Sequence, residues 1–191
     1  MGQQTGGGRA LVAAESEATT DHDQYLTFML AGEVFAIGIL VVKEIIGYGG
    51  LTEVPMMPAC IRGVINLRGA VVPVMDLSAR FGKESTAVTK YTCIVIVEID
   101  VAGEQQVIGV VVDAVNAVLE IAAAEIEPAP KFGAKIRSDF IAGMGKVNGK
   151  FVILLNVDSV LSVDEVSALV DLGAGASTAP AALGASVDAG A

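Results

Sequence analysis

The residues that could do chemistry are few. Histidine is the residue type most often used for general acid–base work at neutral pH, and the chain has one, His22. It falls in a leader without hydrophobic periodicity and is read as incidental. Two aspartates, Asp76 and Asp113, follow apolar strand patterns. Paired carboxylates can hydrolyse glycosides, but they need aromatic side chains to hold the sugar. The chain has no Trp and three Tyr, so both aspartates are read as caps of turns. The segment GMGKVNGKF (143–151) has the look of a phosphate loop. It fails because Phe151 stands where Ser or Thr would bind magnesium, and its glycines are wrongly spaced. Neither a nucleophile elbow nor a zinc-protease motif nor a dinucleotide fingerprint is found. Cys60 and Cys93 are too few for a disulfide framework and lack nearby partners for zinc, so they read as reduced thiols.

The composition points instead to an interaction module. The chain has 191 residues, 53% hydrophobic and 18% charged, with a net charge of −10. Nucleic acid binding would need clustered Lys and Arg to displace counterions, and the 12 basic residues are scattered. Anionic membrane is disfavoured for the same reason. No apolar run reaches the 18 or so residues of a membrane span, and no secretory signal pattern opens the chain. A cytoplasmic location is expected. Aromatics are scarce, so the core must be Val, Ile, Leu and Ala. Three charges then stand out because they lie in apolar surroundings: Glu44, Arg62 and Arg68.

The elements that must position these residues are short. Residues 1–22 and 173–191 are rich in small residues and are expected to be a disordered leader and tail. The folded part is expected over 23–172. QYLTFML (24–30) alternates in period two, and Ala31-Gly32 turns the chain into EVFAIGI (33–39). LVVKEIIG (40–47) is a short helix candidate ended by Gly47, which would place Val42 and Glu44 on a helix. A second helical turn is expected at MMPACIRG (56–63), opened by Pro58. GVINLRGAVVPVMDL (63–77) reads as strand, turn at NLRG, strand. YTCIVIVEI (91–99) and QQVIGVVVDAV (105–115) pair around Ala102-Gly103-Glu104. They are continuous Val/Ile runs, as expected where both faces are covered. A short helix is expected at AAAEIEPAP (122–130). Asn148-Gly149 between two strand patterns signals a type I′ hairpin. Ser162 to Glu165 matches a capping box, expected to open a final helix to about Leu172. About ten short strands with Gly turns argue for barrels or sandwiches, in two sets of about five. No internal repeat is read from the sequence.

At these residues the chain resembles the CheW family of chemotaxis coupling proteins. The resemblance rests on QYLTFMLAGEVFAIGI, VVKEIIGY, IRGVINLRGAVVPVMDL, VIGVVVDAVNAVLEI, IEPAP and FIAGMGKVNGKFVILLNVDSVL, in family order. It implies an all-β fold with short helices: two five-stranded Src-homology-3-like barrels packed around a shared apolar core. It also implies a non-enzymatic adaptor without cofactor, sitting at receptor arrays. Such an adaptor bridges the cytoplasmic tips of transmembrane chemoreceptors and the regulatory domain of the histidine kinase CheA. The receptor-facing positions would be Val42, Glu44, Arg68, Cys93 and Val118, with Glu44 and Arg68 forming a partly buried ion pair. Cys93 departs from the Val more usual there. The kinase-facing positions would be Leu51, Thr52, Arg62 and Gly63, the last lacking room for a side chain. A related coupler for a non-flagellar pathway, such as pilus motility, is the alternative.

Overall fold

The structure, a computed structural model, describes residues 22–130 and 136–161. Eleven strands follow in order among these residues. The first two are β1 (His22–Leu30) and β2 (Glu33–Gly38). Next come β3 (Val42–Gly47), β4 (Ile61–Leu67), β5 (Ala70–Asp76), the single helical turn α1 (Leu77–Arg80), β6 (Cys93–Val101) and β7 (Glu104–Val112). Last are β8 (Ala114–Ala122), β9 (Ile126–Glu127), β10 (Ile141–Val147), β11 (Lys150–Leu155) and the short helix α2 (Val157–Leu161). They form two sheets, ordered β3-β6-β7-β5-β4 and β8-β1-β2-β11-β10-β9. The first is continuous in sequence and is called the inserted barrel. The second is built from the chain on either side of it and is called the split barrel.

Four hairpins are closed by two-residue turns in which both central residues have positive φ. These are Ala31-Gly32, Arg68-Gly69, Ala102-Gly103 and Asn148-Gly149. That is the type I′ geometry, whose twist matches the twist of the flanking strands. Gly149, at φ 77°, is at a value where a Cβ is disfavoured. Gly149→Ala is expected to lower stability by about 1–2 kcal/mol, read as a shifted urea midpoint with unchanged m-value.

The two barrels share a plan for which no repeat is expected from the sequence. Ile61, Gly63 and Asp76 correspond to Ile141, Gly143 and Asn156, each 80 residues later. Both hairpins carry a register shift at the start, between Ile61 and Gly63 and between Ile141 and Gly143. Each second strand then pairs in parallel with another hairpin, β5 with β7 and β11 with β2. The Thr52–Val64 bridge of the inserted barrel corresponds to the Glu127–Met144 pairing of β9. In the inserted barrel the plan runs β3 to β7 in chain order. In the split barrel it begins at β8 and ends at β2, so the order is circularly permuted. The permutation leaves only short traces of the repeat in the sequence: Ile61, Gly63 and Gly69 recur as Ile141, Gly143 and Gly149.

Three cores follow from period-two alternation. In β6, Ile94 and Ile96 fill the inserted barrel with Ile65, Val72, Val74 and Val111. Their neighbours Val95 and Val97 point the other way, into a larger core shared with Leu26, Phe28, Phe35 and Leu155 of the split barrel. A smaller core of Ala36, Ile121, Val152 and Leu154 fills the split barrel. Both faces of β6 are therefore dry, which is why its sequence is a continuous apolar run.

Three expected helices are corrected. Residues 40–47 form only the end of a 3-10 turn (Ile39–Val41) followed by β3. Pairing of its β-branched residues with β6 overrides the weak helical pattern. Over 56–63 there is a turn, in which the Ile61 amide donates to the Pro58 carbonyl at 2.9 Å, and then β4. Over 122–130 a 3-10 turn, Ala123–Glu125, leads into β9. His22, assigned to the leader, opens β1 opposite Ala122. The capping box at 162–165, the helix to Leu172 and the two tails (1–21 and 173–191) lie outside the described residues.

Candidate functional site

The first set of sequence-selected residues lies on β3 and its surroundings. Val42 faces Val97 across the β3–β6 ladder, and Glu44 faces Ile96, because Lys43 is an extra residue between them. A bulge of this kind rephases the alternation of side chains. Val42 therefore borders the shared core, as does Cys93. Glu44 instead shares its side with Ile96, which lines the inserted barrel. There it meets the β4–β5 turn: Arg68 Nη2 donates to Glu44 Oε2 at 3.1 Å. The pair forms, with Glu44 partly buried and Arg68 standing out in solvent. The Arg68 side chain is 79% exposed and that of Glu44 26%, because the positive-φ turn lifts Arg68 off the sheet. Such a pair contributes about 0–1 kcal/mol. Glu44→Lys or Arg68→Glu is thus expected to leave the melting temperature within a few degrees of wild type by thermal denaturation.

Val118 lies on β8 of the split barrel, exposed. It pairs with Leu26, the fifth residue of β1, as Val42 pairs with Val97, the fifth of β6. Val42 and Val118, both marked by the resemblance as receptor-facing, therefore occupy equivalent places in the two barrels.

The second set is brought together tightly. Thr52 and Val64 exchange backbone hydrogen bonds at 2.8 and 2.9 Å. Gly63 lies directly beneath, at φ 144°. A Cβ there would collide with the Thr52 carbonyl oxygen and lie 2.9 Å from its carbon. Leu51 packs on the inserted-barrel core. Arg62 stands beside them with its guanidinium 6.0 Å from the centre of the Tyr48 ring.

Arg62 also reaches inward to a group the sequence marks only as a turn cap. Asp76 is fully buried, and its Oδ2 accepts from Arg62 Nε at 2.8 Å. The same oxygen accepts from the Thr86 amide at 2.8 Å. Oδ1 accepts from the Ser78 amide at 2.9 Å, the Thr86 hydroxyl at 3.0 Å and the Ala79 amide at 3.3 Å. Arg62 Nη2 donates to the Thr86 carbonyl as well. Asp76 does cap α1 as expected, and Asp113 caps the first hairpin by accepting from the Ala31 amide at 2.7 Å. Nothing local in the sequence ties Arg62 to Asp76, since they are joined only when β4 and β5 pair.

A cavity of about 400 Å³ opens at the start of β1 and the 3-10 turn between the barrels. It is lined by His22, Asp23, Gln24, Tyr25, Gly38, Ile39 and Leu40. None of the sequence-selected site residues lines it. Burial, and secondarily the Asp23 carboxylate, pushes the Tyr25 hydroxyl above its ordinary pKa. Elsewhere the hydrogen bond from Arg137 holds Asp139 below the ordinary carboxylate value. Among the described residues no three His, Cys, Asp or Glu side chains gather as a metal site, and no helix is long and apolar enough to cross a membrane.

Two Src-homology-3-like barrels around a common core, with charged and apolar positions displayed at their strands and turns, define a β-barrel scaffold. The chain belongs to the CheW family: the CheW-like domain matches residues 24–165. It is similar to the chemotaxis protein CheW of Klebsiella aerogenes, 36% identical over 148 residues, covering 78% of this chain and 86% of that one. CheW of Rhizobium meliloti is 32% identical, with 80% of this chain and 96% of the relative covered. Among solved structures, the scaffolding protein TtCheW of Thermoanaerobacter tengcongensis superposes with a TM-score of 0.67. That protein is 35% identical, with 75% of this chain and 90% of that one covered. Family and relatives make this chain a chemotaxis adaptor.

Proposed function

We propose that this adaptor couples transmembrane chemoreceptors to the histidine kinase CheA, without catalysing a reaction itself. The cytoplasmic receptor tip docks against Val42, Glu44, Arg68, Cys93 and Val118. The CheA regulatory domain docks against Leu51, Thr52, Arg62 and Gly63. The observation that supports the reading is that the second set gathers at the Thr52–Val64 bridge, with Gly63 buried beneath Thr52 and Arg62 beside it, while Glu44 and Arg68 meet at the β4–β5 turn. Two distinct faces are what a bridge requires. A helical receptor tip would lay apolar side chains against the Val42 and Cys93 edge. The exposed Glu44–Arg68 pair would set orientation more than affinity.

The test is a pull-down with CheA and a receptor signalling fragment, together with kinase autophosphorylation in the ternary mixture. Capture of both partners and increased autophosphorylation are expected. Capture of neither, under conditions where an established coupler binds both, would sink the reading. Reversing Glu44 or Arg68 alone should weaken receptor capture about tenfold, the effect of roughly 1.4 kcal/mol, and the double swap should recover part of it. No recovery in that cycle would mean the two act separately.

A further inference from the structure

We infer that the buried Arg62–Asp76 pair is a positioning device that ties the surface around Arg62, Gly63 and Thr52 to the seam between the two barrels. The split barrel supplies an internal comparison. There Asn156 stands at the position of Asp76 and Ala142 at that of Arg62. Asn156 still caps its helix, accepting from the Ser159 amide at 3.2 Å. Its amide donates to the Phe140 carbonyl at 2.8 Å, as that of Asp76 donates to Cys60 at 2.7 Å. The turn into a helix therefore needs neither a buried charge nor an arginine. The inserted barrel has both, and a buried ion pair offers little net stability over a neutral alternative.

Both barrels pack their helical turns into the shared core, Leu77 from α1 and Val160 and Leu161 from α2, but the polar and aromatic ties across the seam come from the residues at the end of α1 and just after it. Immediately after the cap, Arg80 Nε donates to the Val160 carbonyl of α2 at 3.1 Å. Its guanidinium lies 4.9 Å from the centre of the Phe140 ring. Phe81, which ends α1, has its ring 5.8 Å from that of Phe35 and 5.9 Å from that of Phe140. Lys83 pairs with Glu33 at 3.6 Å. All four partners belong to the split barrel. Asp76 fixes both ends of this clip, the start of α1 through Ser78 and Ala79 and the returning loop through Thr86. Arg62 joins the same carboxylate to the outer surface, where its side chain is 22% exposed. Contact at that face is thereby felt at the seam. Its use in signalling rests on the kinase-docking assignment above, but the coupling itself belongs to the free chain.

The experiment is amide hydrogen exchange by NMR on the full chain without partners. Arg62→Ala with Asp76→Asn installs the split barrel's own pair of side chains and removes the buried charges together. Thr86→Val removes one hydrogen bond to Asp76, and Thr86→Ser keeps it. The Asn156 and Val160 amides donate within the split barrel, to the Phe140 and Asn156 carbonyls, next to the Val160 carbonyl and Phe140 ring that Arg80 holds. They are expected to exchange about tenfold faster in the double variant, the scale of a local opening made easier by a lost charged hydrogen bond. Thr86→Val should give a smaller acceleration at the same amides, and Thr86→Ser should exchange as wild type. Core amides such as Ile96 should change less. Acceleration confined to residues 78–92, or equal acceleration throughout the chain, would overturn the inference. Failure to bind the kinase domain with this exchange pattern intact would count against the docking assignment alone.

Discussion

Asp76→Ala is expected to lower the unfolding free energy by about 3–5 kcal/mol, the cost of breaking a buried ion pair from one side. Five donors lose their acceptor in that variant: Arg62 Nε, the Thr86 amide and hydroxyl, and the Ser78 and Ala79 amides. Arg62 is partly exposed and can turn to water, but Ser78 and Thr86 are buried. Their unpaired amides carry most of the penalty. At about 2–4 °C per kcal/mol for a domain of this size, the melting temperature should fall by on the order of 10 °C. Arg62→Ala should cost less, because the carboxylate keeps its four neutral donors. The double variant with Asp76→Asn should cost less than the sum of the singles, since the charges leave together. Urea denaturation of all variants measures this, and a loss below about 1 kcal/mol for Asp76→Ala, the range of an exposed pair, would show that the site is solvated.

Gly63→Ala carries the second large effect. Its cost has two sources. The backbone at φ 144° is a conformation open to glycine and strained for other residues. The new methyl would also meet the Thr52 carbonyl, which is backbone and cannot rotate aside. Together these are expected to cost about 2–4 kcal/mol, more than Gly149→Ala, where nothing lies within 4 Å of the added carbon. The clash should be relieved by lifting Thr52 off β4. The two backbone hydrogen bonds with Val64 would then lose exchange protection before the rest of the inserted barrel does. Equal costs at positions 63 and 149 would mean that φ alone matters and that the Thr52 strand yields freely.

The turns were legible because their chemistry is local. Ala31-Gly32, Arg68-Gly69, Ala102-Gly103 and Asn148-Gly149 each place glycine where positive φ is needed, between strand patterns. The β6 and β7 runs announced burial on both faces. The helix expected at 40–47 failed for the opposite reason. Val42, Ile45 and Ile46 suit a strand, but the strand exists only because β6 lies beside it. The same misreading put Val42 and Glu44 on a short helix, whereas in β3 the Lys43 bulge turns Val42 toward the shared core and Glu44 toward the side of Ile96. For the Glu44–Arg68 pair, expected to be partly buried, the partners meet and Glu44 is partly buried, while the lifted turn leaves Arg68 in solvent.

By itself, the sequence determined the all-β class, the hairpins and the family resemblance, because each rests on local patterns in the chain. The expectation of a core of Val, Ile, Leu and Ala is corrected by Phe28, Phe35 and Phe140, which pack in the shared core. Only the tertiary structure decided the permuted pairing of two alike barrels. It alone placed Thr52 on Gly63 and carried Arg62 to Asp76. Those contacts join segments that have no local reason to meet. Strand register, which a single bulge can shift, fixes which side chains share a face.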